Sequence, residues 1–315
     1  MPDSPGTTAL HPEMQLLIDA KADLPVPETI AEMRDGWNVY SARLRQPCPE
    51  DMTVEDRSVD GKGGEIPIRI YRPAGAASVA PGILYFHGGG FMKGDLDSSD
   101  TVAWGLAEET GAVVVSVDYR LAPEHPYPAA FDDCFAVLSD VAARAGAYGV
   151  DPMRIAVCGD SAGGNLAAAV SIAARDRGGP KIAGQMLIYP CLTDDVSGGS
   201  YRSNADTPGL TTQSMGSYWN WYLAGSESPC MDPYAVPLKA GDLSNLPPAC
   251  VHVAEIDPLF DDGRIYAERL REAGNPTVYR CAKGMIHGFL RSRLLGPDSA
   301  AEFSKISEFL RQCLR

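Results

Sequence analysis

The chain has 315 residues, 45% of them hydrophobic and 22% charged, an ordinary balance for a globular protein large enough to bury a substrate. Its formal charge of −14 at pH 7 excludes nucleic acid, anionic membrane surfaces and polyanionic substrates, all of which need basic patches, and favours neutral substrates. No apolar run approaches the ~20 residues that span a bilayer, and the first residues have neither the basic start nor the apolar core of a signal peptide, so a cytoplasmic protein is expected.

The N-terminal stretch predicts two helices, at residues 11–22 and 28–45, the second with Ile30, Met33, Trp37, Tyr40 and Leu44 at helical spacing. Standing ahead of the first strand, they are candidates for a lid. Strands are expected at 54–60 and 66–72, joined as a hairpin through Gly61-Lys62-Gly63-Gly64, and at 82–86, which runs into His87-Gly88-Gly89-Gly90-Phe91. A helix over 98–110 leads to the β-branched run 112–117, of the kind buried on both faces of a parallel sheet. After a proline-punctuated loop come a helix at 129–145, a strand at 154–158 and the small-residue helix 165–174. Strands at 183–189, 249–254 and 277–282, with helices at 261–273 and 299–314, complete eight strands in a mainly parallel, doubly wound sheet.

Between the sixth and seventh strands lies an insertion, 192–246, that is too long for an ordinary connection and carries Tyr201, Tyr218, Trp219, Trp221, Tyr222 and Tyr234. Insertions of this kind act as lids or binding loops. The expected division is therefore a core of 51–191 and 247–315, with 1–50 and 192–246 as two parts of a cap.

The eight cysteines form no C-x-x-C pair and read as reduced core thiols. Cys158 adjoins the chemically suggestive stretch below, which makes it a candidate site of inhibition by thiol reagents. None of the five histidines pairs with another at metal-ligand spacing, so neither a metal nor a cofactor is expected.

The chemistry centres on Gly159-Asp160-Ser161-Ala162-Gly163, a G-x-S-x-G turn between a strand and a helix. A serine hydroxyl is a weak nucleophile, so it needs a base, a group orienting that base, and donors for an oxyanion. His287, just past the last strand, is the candidate base; His11, His125 and His252 are poorly placed, and His87 reads as structural. Asp257, just past the seventh strand, is the candidate acid, with Glu255, Asp194 and Asp195 as rivals. Consecutive backbone N–H groups of His87-Gly88-Gly89-Gly90, and that of Ala162 at the helix start, are candidate oxyanion donors.

These stretches, with Asp118-Tyr119-Arg120-Leu121-Ala122-Pro123-Glu124-His125-Pro126-Tyr127-Pro128, Asp257-Pro258-Leu259 and His287-Gly288-Phe289, resemble the bacterial hormone-sensitive lipase family of α/β-hydrolases. The resemblance runs from about residue 54 to the C-terminus. It implies an α/β-hydrolase fold with a helical cap and a serine carboxylesterase acting on short-chain acyl esters. It assigns Ser161 as nucleophile, His287 as base, Asp257 as its partner, and Gly88, Gly89 and Ala162 as oxyanion donors. It also allows a homodimer, without locating an interface. An amidase or peptidase using the same triad, or a binding protein on this scaffold, are the alternatives; the presence of His287 argues against the last.

Overall fold

The structure, a computed structural model, describes residues 9–226 and 230–315. Eight strands form one sheet: β1 (Thr53–Gly61), β2 (Gly64–Arg72), β3 (Ala80–Phe86), β4 (Val113–Val117), β5 (Val150–Asp160), β6 (Gly184–Ile188), β7 (Ala249–Ile256) and β8 (Thr277–Ile286). Their spatial order is β1-β2-β4-β3-β5-β6-β7-β8. β1 and β2 form the expected hairpin, β2 pairs antiparallel with β4, and β3 to β8 run parallel.

The helices are α1 (Met14–Asp19), α2 (Ile30–Leu44), α3 (Asp100–Thr110), α4 (Ala129–Ala143), α5 (Ala145–Tyr148), α6 (Ala162–Asp176), α7 (Ser200–Ser203), α8 (Thr212–Tyr222), α9 (Phe260–Glu272) and α10 (Pro297–Cys313). The helix expected at 129–145 ends sooner, and a separate short turn, α5, follows it. That turn stops at Gly149, which adopts a left-handed φ of +58°. The helix expected at 11–22 is confined to α1, with hydrogen-bonded turns on either side.

Side chains of the central strands alternate between two cores, as a sheet covered on both faces requires. Leu84, Val113 and Val115 join Phe131, Leu166, Val170, Tyr266 and Leu270 on the side of α4, α6 and α9. Ile83 and Val114 join Trp104, Leu106, Phe303 and Leu310 on the side of α3 and α10, together with Met14 of α1 and Tyr40 of α2. Residues 162–174 of α6 are buried all round, which explains a helix without a polar face.

The N-terminal helices rest on the turn Phe289–Ser292, where Arg291 Nη1 donates to Ser41 Oγ at 3.1 Å. α2 starts with a capping box: Thr29 Oγ1 accepts from Glu32 N at 3.2 Å, and the Glu32 carboxylate accepts from Thr29 N at 3.1 Å. In the stretch after β6, buried Asp262 Oδ2 accepts from Leu192 N at 2.7 Å and Thr193 N at 3.1 Å. Asn165 Nδ2 donates to Cys191 O at 2.9 Å and to Ala235 O at 3.0 Å, tying α6 to the start of that stretch and to a point within it. Residues 1–8 and 227–229 of the two expected cap segments lie outside the described residues.

Candidate active site

Four loops at the C-terminal ends of β3, β5, β7 and β8 meet over the sheet, where an open parallel sheet places its ligand crevice. β5 ends at Asp160, and Ser161 turns the chain into α6 with φ +56° and its N–H on Ile188 O at 2.9 Å. A non-glycine residue at that φ costs roughly 1–3 kcal/mol, held here by a turn with packing on every side. Gly163 is required by the same packing, since a Cβ there would strike the carbonyl of Phe86 on β3.

The structure brings Ser161, His287 and Asp257 together. His287 Nδ1 lies 2.7 Å from Asp257 Oδ2 and Nε2 lies 2.9 Å from Ser161 Oγ. An ionised carboxylate only accepts, so the ring proton sits on Nδ1 and Nε2 is left to accept from the serine. Asp257 is fully buried and held by Leu259 N on its other oxygen at 2.9 Å. The His287 ring packs on Tyr189, with centroids 4.6 Å apart. Ser161 is 8% exposed, enough to be reached from outside yet largely shielded from water.

The rival acids are occupied elsewhere. Glu255 binds Lys283 Nζ and Gly284 N, each at 2.8 Å, while Asp194 pairs with Lys239 at 3.4 Å and Asp195 accepts from Ser197 N at 3.0 Å. Of the other histidines, His252 is buried in β7 at 2.9 Å from Glu302, and His125 is exposed. His87 is fully buried and stacked on Tyr119. His11 Nε2 pairs with Asp298 at 3.2 Å. His11, Glu13 and Asp298 bring ligand atoms within 4.8 Å of one another, but the Glu13 carboxylate is already spent accepting Asp298 N at 3.0 Å and Ser299 N at 2.7 Å, at the start of α10.

The glycine loop departs from expectation in one respect. Gly88 donates its N–H to Asp160 Oδ1 at 2.9 Å, so this group is committed within the protein and is not free for an oxyanion. Among the described residues, the N–H groups of Gly89, Gly90 and Ala162 have no protein partner. Gly89 has φ +142°, and a Cβ there would strike the carbonyl of Lys93, so the loop's course depends on glycine at this position. Asp160, a member of the pentapeptide to which sequence reasoning gave no role, also accepts from Tyr85 Oη at 2.7 Å. Burial and the Asp160 charge push the Tyr85 and Tyr189 hydroxyls well above the usual range, which keeps them protonated as donors.

Cys158 adjoins this turn but is fully buried, and burial pushes its thiol well above the usual range. The expectation that thiol reagents act through it is not supported, because neither access nor thiolate is provided.

The sequence profile of a family described as having the alpha/beta hydrolase fold matches residues 83–291. The chain is 42% identical over 299 residues to carboxylesterase NlhH of Mycobacterium tuberculosis, covering 92% of each protein. It is 33% identical to an ethyl acetate hydrolase of Pseudomonas putida, covering 90% of each. A hyperthermophilic esterase from the archaeon Pyrobaculum calidifontis superposes with a TM-score of 0.90 at 38% identity, covering 96% of this chain and 98% of the other. On the fold, the arrangement of the four loops and these similarities, the chain belongs to the alpha/beta hydrolase fold family, in its hormone-sensitive-lipase-like branch.

Proposed function

We propose that the protein is a carboxylic ester hydrolase working through an acyl-enzyme, with Ser161 as nucleophile, His287 as general base and acid, and Asp257 as the group that orients the histidine. The observation that carries this reading is the continuous hydrogen-bonded line from Asp257 through His287 to Ser161, at 2.7 and 2.9 Å. His287 Nε2 takes the proton as Ser161 Oγ attacks the ester carbonyl, then returns it to the leaving alcohol; water activated by the same nitrogen releases the acid. The oxyanion rests on the N–H groups of Gly89, Gly90 and Ala162, the three left free at the turn.

The described residues of 9–50 and 192–246 serve as a cap over the core. Support comes from α8, where Phe91 stacks on Tyr222 at 3.7 Å between centroids and Tyr218 lies against Gly90. This aromatic wall over the glycine loop suits short acyl groups, in keeping with the relative named for ethyl acetate. The substrate is a small-molecule ester. No helix among the described residues is long and apolar enough to cross a membrane.

The test is turnover of p-nitrophenyl esters of two to twelve acyl carbons by wild type, Ser161→Ala, His287→Ala and Asp257→Asn, with a p-nitroanilide alongside. Short esters are expected to turn over, and the serine and histidine variants to lose about 10³-fold or more. Asp257→Asn is expected to lose a similar factor, because the amide no longer holds the ring proton on Nδ1. Anilide turnover matching ester turnover, or full activity in Ser161→Ala, overturns the reading.

A further inference from the structure

Both catalytic loops deliver a cation to one aromatic ring, that of Trp37. Lys93 follows the glycine loop, with its backbone carbonyl against Gly89, and its Nζ donates to Tyr218 Oη at 2.7 Å. Arg291 lies four residues after His287, on the turn Phe289–Ser292. The two charges share Trp37 of α2, the Lys93 ammonium 5.0 Å and the Arg291 guanidinium 4.2 Å from the ring centroid. Lys21, just beyond α1, puts a third charge 4.4 Å from the Tyr40 ring, which Arg291 approaches to 5.8 Å.

None of the three has a carboxylate partner in an ion pair among the described residues, in a chain that carries a formal charge of −14. Elsewhere arginines meet acids readily, as in Arg34 with Glu124, Arg69 with Asp56 and Arg120 with Asp133. The Lys21 side chain is half-buried, and burial, then the charges of Lys93 and Arg291, bring its amine down to about 7. Like charges gathered without a counterion are unfavourable unless something negative visits them. Aromatic faces partly offset the repulsion, and the hydrogen-bond acceptors given to Lys93 and Arg291 are neutral ones: Tyr218 Oη for Lys93, and Ser41 Oγ with Ser98 O at 2.8 Å for Arg291. The cluster is also next to the chemistry. Arg291 acts electrostatically on the Tyr189 hydroxyl, and Tyr189 packs on the His287 ring. Tyr218, the Lys93 partner, lies on Gly90.

We propose that Lys21, Lys93 and Arg291 form an anion-reading corner of the substrate site, selecting esters that carry a free carboxylate at the end remote from the scissile carbonyl. This rests on the ester hydrolase reading above and names its substrate class. It also refines the inference from net charge. The overall excess of acid excludes polyanions from the surface at large, whereas a monoanion would meet a local excess of positive charge.

The experiment compares 4-nitrophenyl hemisuccinate with 4-nitrophenyl butyrate, which have acyl chains of equal length, for wild type, Lys21→Gln, Lys93→Gln and Lys21→Arg at pH 7. Wild type is expected to prefer the hemisuccinate, and the preference to fall as salt is raised. Each glutamine variant is expected to lower the hemisuccinate-to-butyrate ratio of kcat/KM about tenfold, through KM with kcat held, as loss of a binding contact does. Lys21→Arg is expected to restore the ratio. A ratio unchanged in both glutamine variants, or one lowered through kcat on the hemisuccinate with its KM unchanged, overturns the proposal. Calorimetric titration of succinate into Ser161→Ala and its Lys21→Gln double variant separates the two readings. Protein inert to both esters that binds succinate, and loses it in the double variant, defeats the esterase reading while keeping the anion-binding corner. Butyrate turnover with no succinate binding does the reverse.

Discussion

Gly88 N and Asp160 Oδ1 meet at 2.9 Å, joining the loop after β3 to the residue immediately before Ser161. One oxygen thus takes both Gly88 N–H and the Tyr85 hydroxyl, so the glycine loop and the serine turn are held as one rigid piece. Catalysis gains because donors aimed at an oxyanion must be in place before charge develops.

Replacing Asp160 with alanine removes that joint and takes the acceptor from three buried donors, the Gly88 N–H and the Tyr85 and Tyr189 hydroxyls, each costing about 1–3 kcal/mol. The expected result in steady-state kinetics on butyrate is a kcat lower by about 10–10²-fold, with KM changed by less than about threefold. Unchanged kcat in a variant of wild-type fold would show that the joint is not needed.

Asp262 governs a pH dependence of stability. Burial pushes its carboxyl from 3.8 up to about 8, against the pull of Leu192 N, Thr193 N and Tyr201 Oη. A pKa raised by folding contributes stability that is complete below about 4 and is lost as pH rises towards 8. Asp262→Asn keeps an oxygen for those donors and cannot ionise. Its Tm relative to wild type is therefore expected to rise between pH 5 and 8.5, by about 5 °C or more. Parallel curves of Tm against pH would refute this.

Thiol chemistry gives a third check. Cys48, Cys281 and Cys313 are partly exposed, while Cys134, Cys158, Cys191, Cys230 and Cys250 are buried. Native protein treated with iodoacetamide is expected to label at no more than those three positions by mass spectrometry and to keep about 90% of its activity. Loss of activity in step with modification of Cys158 would contradict its burial.

Arg34 links α2 to the core. Its Nε donates to Met92 O at 2.8 Å, Nη2 reaches Ala122 O at 3.2 Å, and the fork binds Glu124 at 2.8 and 2.6 Å. The half-exposed ion pair is worth little alone, but the carbonyl contacts fix the helix carrying Trp37 over the glycine loop. Arg34→Met is expected to raise KM for butyrate about threefold to tenfold, with a loss of about 1 kcal/mol in stability by denaturant titration. An unaltered KM would place α2 outside the substrate path.

The strands and the three residues Ser161, Asp257 and His287 were readable because each chemical group directly follows an apolar run, a local signal. Which glycine N–H faces outward was not, since it depends on backbone angles such as the +142° of Gly89 and on a partner 72 residues away. The roles of Asp160 and Asp262 were hidden for the same reason: a carboxylate's partners are set by tertiary contacts, and nothing in its own neighbourhood distinguishes it from a solvated acid. Lys21, Lys93 and Arg291 sit far apart in the chain and in a strongly acidic composition, so only folding reveals that they share two rings.

The bonds that seat α1 and α2 bear on synthesis. Glu13 reaches Ser299 across 286 positions, and Arg291 reaches Ser41 across 250. Met14, Leu17 and Tyr40 therefore stay without their core partners Phe289 and Leu290 until that distant stretch has been made. Docking of α1 and α2 is therefore a late step of folding, closed by contacts of very large sequence separation.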